Sequence, residues 1–370
     1  MVSTVGAQLR LVRMAWGRSL EEVGEAVVST RQYVHQIETG ARVPNEDMLR
    51  ALAECLGVRD RFFHLTSTSP VSPEHCHFRK QFTTPASVTS QVLARGTLLD
   101  AFVTAIDNAM ELPKVNFPDI AIDNADAIER AAEGCRRHWQ LGATGPITNM
   151  MRVVENAGAV VTYFEGVSER VDALSMDRPR PIIVRSAAKQ SLCRQRFDLA
   201  HECGHLVMHR GIVTGDHLTE EQANRFASAF LLPRAAFLNE FPRGRVLNWP
   251  ALYALKKRWK VSVRAIVKRA FDLNLINASQ YRSANIHLMK TGQSKVERYD
   301  DELPMERPEL LSNALSLLGH VRPASVPRIA DQLGWDEGLF ALIVGQPLSS
   351  HSPFNGNSNN PSLKLVPTES

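Results

Sequence analysis

Apolar positions recur at helical spacing along most of this chain, and short β-branched runs interrupt them near its middle. From Gly6, four short helical segments follow in tight succession. Leu9, Val12 and Arg13 begin the first, and Ser19 is placed to cap the second, with Glu22 at the capping-box position. The third covers Ser29 to Glu38 and closes at Gly40. Asn45 caps a fourth that runs to Leu56, with Gly57 as its stop. Thr66 to Pro73, rich in Ser, Thr and Pro, reads as a linker, and His75-Cys76-His77 as a solvated loop. A helical stretch from Ser90 to Met110 follows, then an extended break at Leu112-Pro113 and Phe117-Pro118.

The second half opens with a helix over Ala125–Trp139 that puts Ile128, Ala131, Ala132 and Cys135 on one face, and a further helix opened by Pro146 and ended by Gly158. Ala159–Phe164, Ala173–Met176 and Pro181–Arg185 read as strands of a small sheet. A buried helix around Phe197–Val207 comes next, then a helix capped by Thr219 and stopped by Pro233. Trp249–Leu275 reads as two helices joined at Lys260-Val261-Ser262, with no acid between Lys256 and Arg269. That basic run suits a solvated face, or alternatively a docking patch for an acidic protein or nucleic acid. Glu309–Leu318 and Val326–Val344 are helical, and Gln346–Ser370, full of Ser, Asn and Pro, has the composition of a disordered tail.

Length and charge narrow the class. The 370 residues are enough for two or three domains. A formal net charge of +4 is too small to imply nucleic acid by itself, and residues 1–60 carry slightly more acids than bases. No apolar run approaches the ~20 residues that span a bilayer, and no signal-peptide pattern opens the chain. The five cysteines are scattered without C-x-x-C pairs, as in a reducing compartment. A soluble, cytoplasmic protein with no membrane partner is expected.

The chemistry sits in Arg196–His209. His201-Glu202-x-x-His205 on a helix places two imidazoles one turn apart on one face, able to share a metal ion. Glu202 lies about 100° around the helix, near enough to act as a general base without ligating. Gly204 costs roughly 1 kcal/mol relative to Ala in a helix interior, so another element should approach there. Glu220 and Asn224, i and i+4 on the next helix, offer a third ligand and an amide that orients a ligating histidine. Glu221 competes with Glu220 for the metal. His209 is a further candidate ligand, though it falls at the helix end, and His217 is a candidate oxyanion donor.

Two resemblances follow from quoted residues. Ser19-Leu20-Glu21-Glu22-Val23-Gly24, Val28-Ser29-Thr30, Ile37-Glu38-Thr39-Gly40 and Pro44 make residues 1–60 similar to the XRE/Cro-type helix-turn-helix family, although Leu20 stands where that family usually has Gln. The resemblance implies that the third helix enters the major groove of promoter or operator DNA with Thr30, Arg31, Gln32, Tyr33, His35 and Gln36. Arg196-Phe197-x-x-Ala200-His201-Glu202-x-Gly204-His205-Leu206-x-x-His209 with Glu220-x-x-Ala223-Asn224-x-Phe226-Ala227 and Leu232-Pro233 resembles the ImmA/IrrE-type metallopeptidases, with Cys203 in place of an aliphatic residue. That resemblance implies Zn²⁺ and cleavage of a helix-turn-helix repressor protein.

The fold expected is therefore multidomain and mainly α: an all-α helix-turn-helix domain over 1–65, a linker and bridging helix over 66–118, and an α+β zincin-like, gluzincin-type domain with a small sheet over 119–290. A small helical unit over 291–345 and a tail over 346–370 complete it. The metal set expected is His201, His205 and Glu220, with Glu202 catalytic and Asn224 behind the ligands. Two other readings are a DNA-binding regulator whose peptidase fold senses metal or ligand without turnover, and a protein-binding regulator whose helix-turn-helix domain contacts a repressor. A second copy of the chain is a further candidate partner.

Overall fold

Caps and glycines written into the sequence fix the first helices. The computed structural model describes residues 4–65, 70–73, 76–80, 85–164, 171–185, 191–212, 214–346, 348 and 364–365. Helix α1 spans Thr4–Trp16, α2 Leu20–Ala26, α3 Arg31–Glu38 and α4 Glu46–Leu56. Ser19 and Glu22 close both halves of a capping box, and Asn45 accepts from the amide of Met48. Gly57 ends α4 in the left-handed region at φ 66°, where a side chain would cost energy. Helix α3 starts two residues later than expected, because Thr30 rather than an earlier residue supplies the capping oxygen, to the amide of Tyr33.

Strand β1 (Cys76–Lys80), helix α5 (Ala86–Ala109) and strand β2 (Met110–Glu111) come next. They are followed by α6 (Ala125–His138), α7 (Met150–Asn156), β3 (Val160–Tyr163), β4 (Val171–Met176) and β5 (Ile182–Arg185). Then come α8 (Leu192–Met208), α9 (His217–Leu231), α10 (Arg234–Glu240), α11 (Trp249–Trp259), α12 (Val263–Asp272) and α13 (Ala278–Lys290). Helices α14 (Leu310–Val321), α15 (Ser325–Gln332) and α16 (Glu337–Val344) and strand β6 (Lys364–Leu365) close the chain. The described residues are thus mainly helical, with one four-stranded sheet ordered β1-β4-β5-β3 and a β2-β6 pair. None of their helices is long and apolar enough to cross a membrane.

Three local expectations change. Cys76 and His77 are not in a solvated loop: both are buried in β1, antiparallel to β4 with Cys76 opposite Met176. Their pairing partner lies a hundred positions away in the sequence, so no local pattern announces the strand. Pro146 does not open α7, which begins at Met150 where Asn149 caps the amide of Arg152. The basic run is only partly a solvated face, since Lys256 and Arg269 are buried and paired. The tail expected to be disordered lies almost wholly outside the described residues.

Packing divides the chain into two units. One gathers Met1–Pro113, Thr162–Ser186 and Glu309–Ser370. Within it, Arg13 meets the buried Glu38 carboxylate through Nε at 2.6 Å and Nη2 at 2.9 Å, tying α1 to α3. Helix α5 runs through the unit's core. Phe102 on α5 stacks on Trp335 at 5.8 Å and meets Phe340 edge-on at 5.4 Å, which brings the last three helices into this core. Arg59 and Arg61 pair with Asp331 beside them.

The other unit gathers Lys114–Val161 and Ala187–Pro308. Helices α8 and α9 lie against each other at its centre, with α6 and α7 alongside. Its organising group is Glu306. One carboxylate oxygen accepts from Arg196 Nη1 at 2.5 Å, and the other accepts from the amides of Met150 and Met151 at 2.8 and 3.0 Å. Gln195 adds two hydrogen bonds to the backbone of Glu306, one donated and one accepted. A single carboxylate therefore neutralises α8's buried guanidinium and satisfies the first turn of α7. Removing it by Glu306→Ala should lower the unfolding free energy by about 3–5 kcal/mol, since it leaves a buried charge unpaired. Urea denaturation followed by circular dichroism measures this, and a loss under about 1 kcal/mol would mean the pair does not hold the unit together.

Candidate functional site

Helix α8 is buried along nearly its whole length, with His201 and His205 turned toward α9 and Gln195 and Arg196 toward Glu306. His201 and His205 stand one turn apart with 0% and 1% exposure. Their Nε2 atoms are 3.1 Å from each other. Glu220 on α9 closes the group, with one carboxylate oxygen 3.3 Å from His201 Nε2 and the other 3.3 Å from His205 Nε2. Among the described residues this is the one cluster of three or more His, Cys, Asp or Glu side chains able to hold a metal ion.

The close approach that makes this possible is at Gly204. A Cβ built there would sit 3.1 Å from Phe226 Cδ1 and 3.3 Å from Ala223 Cα, so α9 lies where a side chain would otherwise project. The glycine costs α8 some helix propensity and gives α9 room to bring Glu220 across. Helix α9 is capped by Asp216, whose Oδ1 accepts from the amides of Leu218 and Thr219. Thr219, the expected cap, lies inside the first turn instead and bonds back to Asp216. Asp216-His217-Leu218-Thr219 carries an Asp ahead of the helix, a signal that could have been read.

Donor spacing provides a test of fit. Ligands held about 2.0–2.1 Å from one ion in a tetrahedral arrangement lie about 3.3 Å from each other. The three observed separations, 3.1, 3.3 and 3.3 Å, match a shared divalent ion. Their protonation suits it too. Burial pushes the His205 imidazole down to about 4 against the opposing pull of Glu220's hydrogen bond, so the ring is neutral and offers a lone pair. Burial would raise the Glu220 carboxyl, but the two imidazoles beside it hold it below its ordinary value, leaving it an anion. Its side chain is 25% exposed, which leaves the cluster open on that side.

The other expected residues fall into place around this group with differing success. Asn224 Oδ1 is 3.0 Å from His201 Nδ1, the position from which an amide orients a ligating ring. Glu202 is buried one residue beyond His201, outside the donor cluster. Glu221 turns away, 65% exposed and 3.9 Å from His217, which is itself 95% exposed. Cys203 is fully buried, and burial holds its thiol well above its ordinary pKa, so it is a neutral packing group. His209 does not join the donors: its Nδ1 is 2.9 Å from His205 Nδ1, and its Nε2 is 2.9 Å from Gln222 Oε1. Gln222 was not singled out from the sequence, because its partner lies on the facing helix.

In the first unit, α2 and α3 form the expected helix pair. Val34 and Ile37 point into the core, while Thr30, Arg31, Gln32 and His35 are exposed and Tyr33 and Gln36 half-exposed. Arg42 sets its guanidinium 5.4 Å from the Tyr33 ring centroid, adding a cation beside the helix. Val28, in the turn between the helices, is 95% exposed and left-handed at φ 51°, an unusual state for a β-branched residue.

No curated protein matches the chain. Residues 154–271 match the family model of a peptidase family described as the IrrE N-terminal-like domain, and residues 4–61 match that of a helix-turn-helix domain. The first match encloses α8 and α9 with all three donors, and the second encloses α1 to α4. The chain thus joins a segment that matches a helix-turn-helix domain to one that matches the IrrE N-terminal-like peptidase domain.

Proposed function

We propose that this chain is a zinc-dependent endopeptidase joined to a DNA-binding domain, and that it regulates transcription by cutting a helix-turn-helix repressor. The donor spacing carries the reading, since three separations of 3.1–3.3 Å suit one tetrahedral ion. His201, His205 and Glu220 would hold the ion, with Asn224 orienting His201. Zinc bound there supplies a Lewis acid that polarises a peptide carbonyl and acidifies water. Glu202 does the proton work: its carboxylate takes a proton from the attacking water and passes it to the departing amine. The 25% exposed Glu220 marks the side from which a peptide would reach the ion. Thr30, Arg31, Gln32, Tyr33, His35 and Gln36 form the face that would hold the chain at a promoter.

The purified chain should retain about one zinc ion. His201→Ala, His205→Ala and Glu220→Ala should each lose it, while Glu221→Ala keeps it, as read by metal analysis after gel filtration. Zinc lost in Glu221→Ala but kept in Glu220→Ala would overturn the ligand set. On DNA, Arg31→Ala and Gln32→Ala should each weaken binding to the native upstream region by about 1–3 kcal/mol if they contact bases, and wild-type affinity should fall as salt rises. Salt-independent binding, or none, would remove DNA from the reading.

Glu202→Gln separates an enzyme from a sensor. The amide keeps size and hydrogen bonding but cannot take up a proton, so zinc content should stay at the wild-type level while cleavage falls about 10²–10⁴-fold. Co-expression with a candidate repressor, followed by the repressor's intact length and its reporter, measures both. If Glu202→Gln with zinc bound regulates as well as wild type, the fold senses metal or ligand without turnover.

A further inference from the structure

His209 ends α8 with a ring only 2% exposed, yet it is not one of the three donors. Its two nitrogens are both engaged, Nδ1 with His205 Nδ1 at 2.9 Å and Nε2 with Gln222 Oε1 at 2.9 Å. These contacts decide where the protons sit. An amide oxygen can only accept, so His209 Nε2 carries its ring's proton and donates it to Gln222. A neutral imidazole has one N–H, so His209 Nδ1 is a lone pair. Two ring nitrogens 2.9 Å apart need one donor, and that donor is then His205 Nδ1–H. The remaining nitrogen of His205, Nε2, is left with its lone pair, facing His201 Nε2 at 3.1 Å and the Glu220 carboxylate at 3.3 Å, acceptors that a shared cation rather than a proton would bring together.

We propose that Gln222 and His209 form a two-link tautomer relay that sets His205 as a metal ligand. Both are positioning residues, acting through His205 and not touching the ion. The relay rests on the metal site proposed above. It makes His205 unlike His201, whose tautomer is fixed in one link by Asn224 Oδ1 at 3.0 Å. The relay starts on α9 and ends on α8, so the same helix that delivers Glu220 also dictates which nitrogen of His205 faces it. Docking of α9 thereby supplies one ligand and prepares another.

The test is the zinc dissociation constant of the full-length chain, by competition with a chromophoric chelator, together with the visible spectrum of the Co²⁺-substituted protein. His209→Leu removes the acceptor for His205 Nδ1–H and should weaken zinc binding about 10–100-fold. His209→Asn places an oxygen near the Nδ1 position and should restore affinity to within a few-fold of wild type, which a merely packing role would not do. Gln222 is the second handle, half-buried and so less demanding for folding. Gln222→Glu can only accept and should keep zinc, whereas Gln222→Met, of similar size without a strong acceptor, should weaken it and alter the Co²⁺ spectrum. If His209→Leu and Gln222→Met both hold zinc within twofold of wild type, the relay is wrong while the metal site stands. If Gln222→Glu loses zinc as Gln222→Met does, the proton order is wrong and the relay fails. A wild-type chain that binds no zinc overturns the metal site and the relay together.

Discussion

Two helices must come close enough for side chains of different length to meet at one point, and everything at the candidate metal centre depends on that approach. His201 and His205 project from one face of α8, with their Nε2 atoms 3.1 Å apart. Glu220 is delivered from α9, and it reaches both imidazoles because Gly204 lets Phe226 and Ala223 lie against α8's backbone. The sequence pays for this contact in helix propensity, by about 1 kcal/mol. Glu220, Gln222 and Asn224 all sit on the helix so positioned, and each meets a different histidine or pair of histidines.

Around that contact the second unit is fastened by buried charge. Arg196 meets Glu306, Arg269 meets Glu129, and Lys256 meets Glu297 and Asp300 at 3.1 and 2.7 Å. Two of these carboxylates also cap helices, Glu297 accepting from the amides of Val263 and Arg264 as Glu306 does at α7. Buried pairs of this kind add little net stability over apolar packing, but losing one partner is expensive. Their effect is to fix geometry: each ties a helix of the core to a segment remote in the chain.

Much of this was legible from spacing, because helices write their contacts locally. The i, i+4 pairs His201/His205 and Glu220/Asn224 announce their shared faces, and Ser19, Asn45 and Gly57 mark helix ends through chemistry confined to a single turn. What failed to show was whatever needed a partner far along the chain. Strand β1 is five residues whose partner is β4, with no alternation long enough to identify it alone. Glu306 sits among prolines and looks like part of a connecting segment, since Arg196 is 110 positions earlier. His209, judged by its own helix, is only a terminal histidine. Its role comes from Gln222 on the helix across from it.

The place of Glu306 in the chain also sets an order of events during synthesis. A ribosome adding about 5–20 residues per second takes roughly 5–20 s to travel from Arg196 to Glu306. Throughout that interval the HExxH helix exists without the carboxylate that neutralises its guanidinium, and α7 without the acceptor for its first turn. The helix-turn-helix segment, at residues 4–61, has left the ribosome long before. The nascent chain thus carries its helix-turn-helix segment well before Arg196 and the first turn of α7 can be closed by Glu306, so the unit that holds the candidate metal centre is fastened only after that segment has been made.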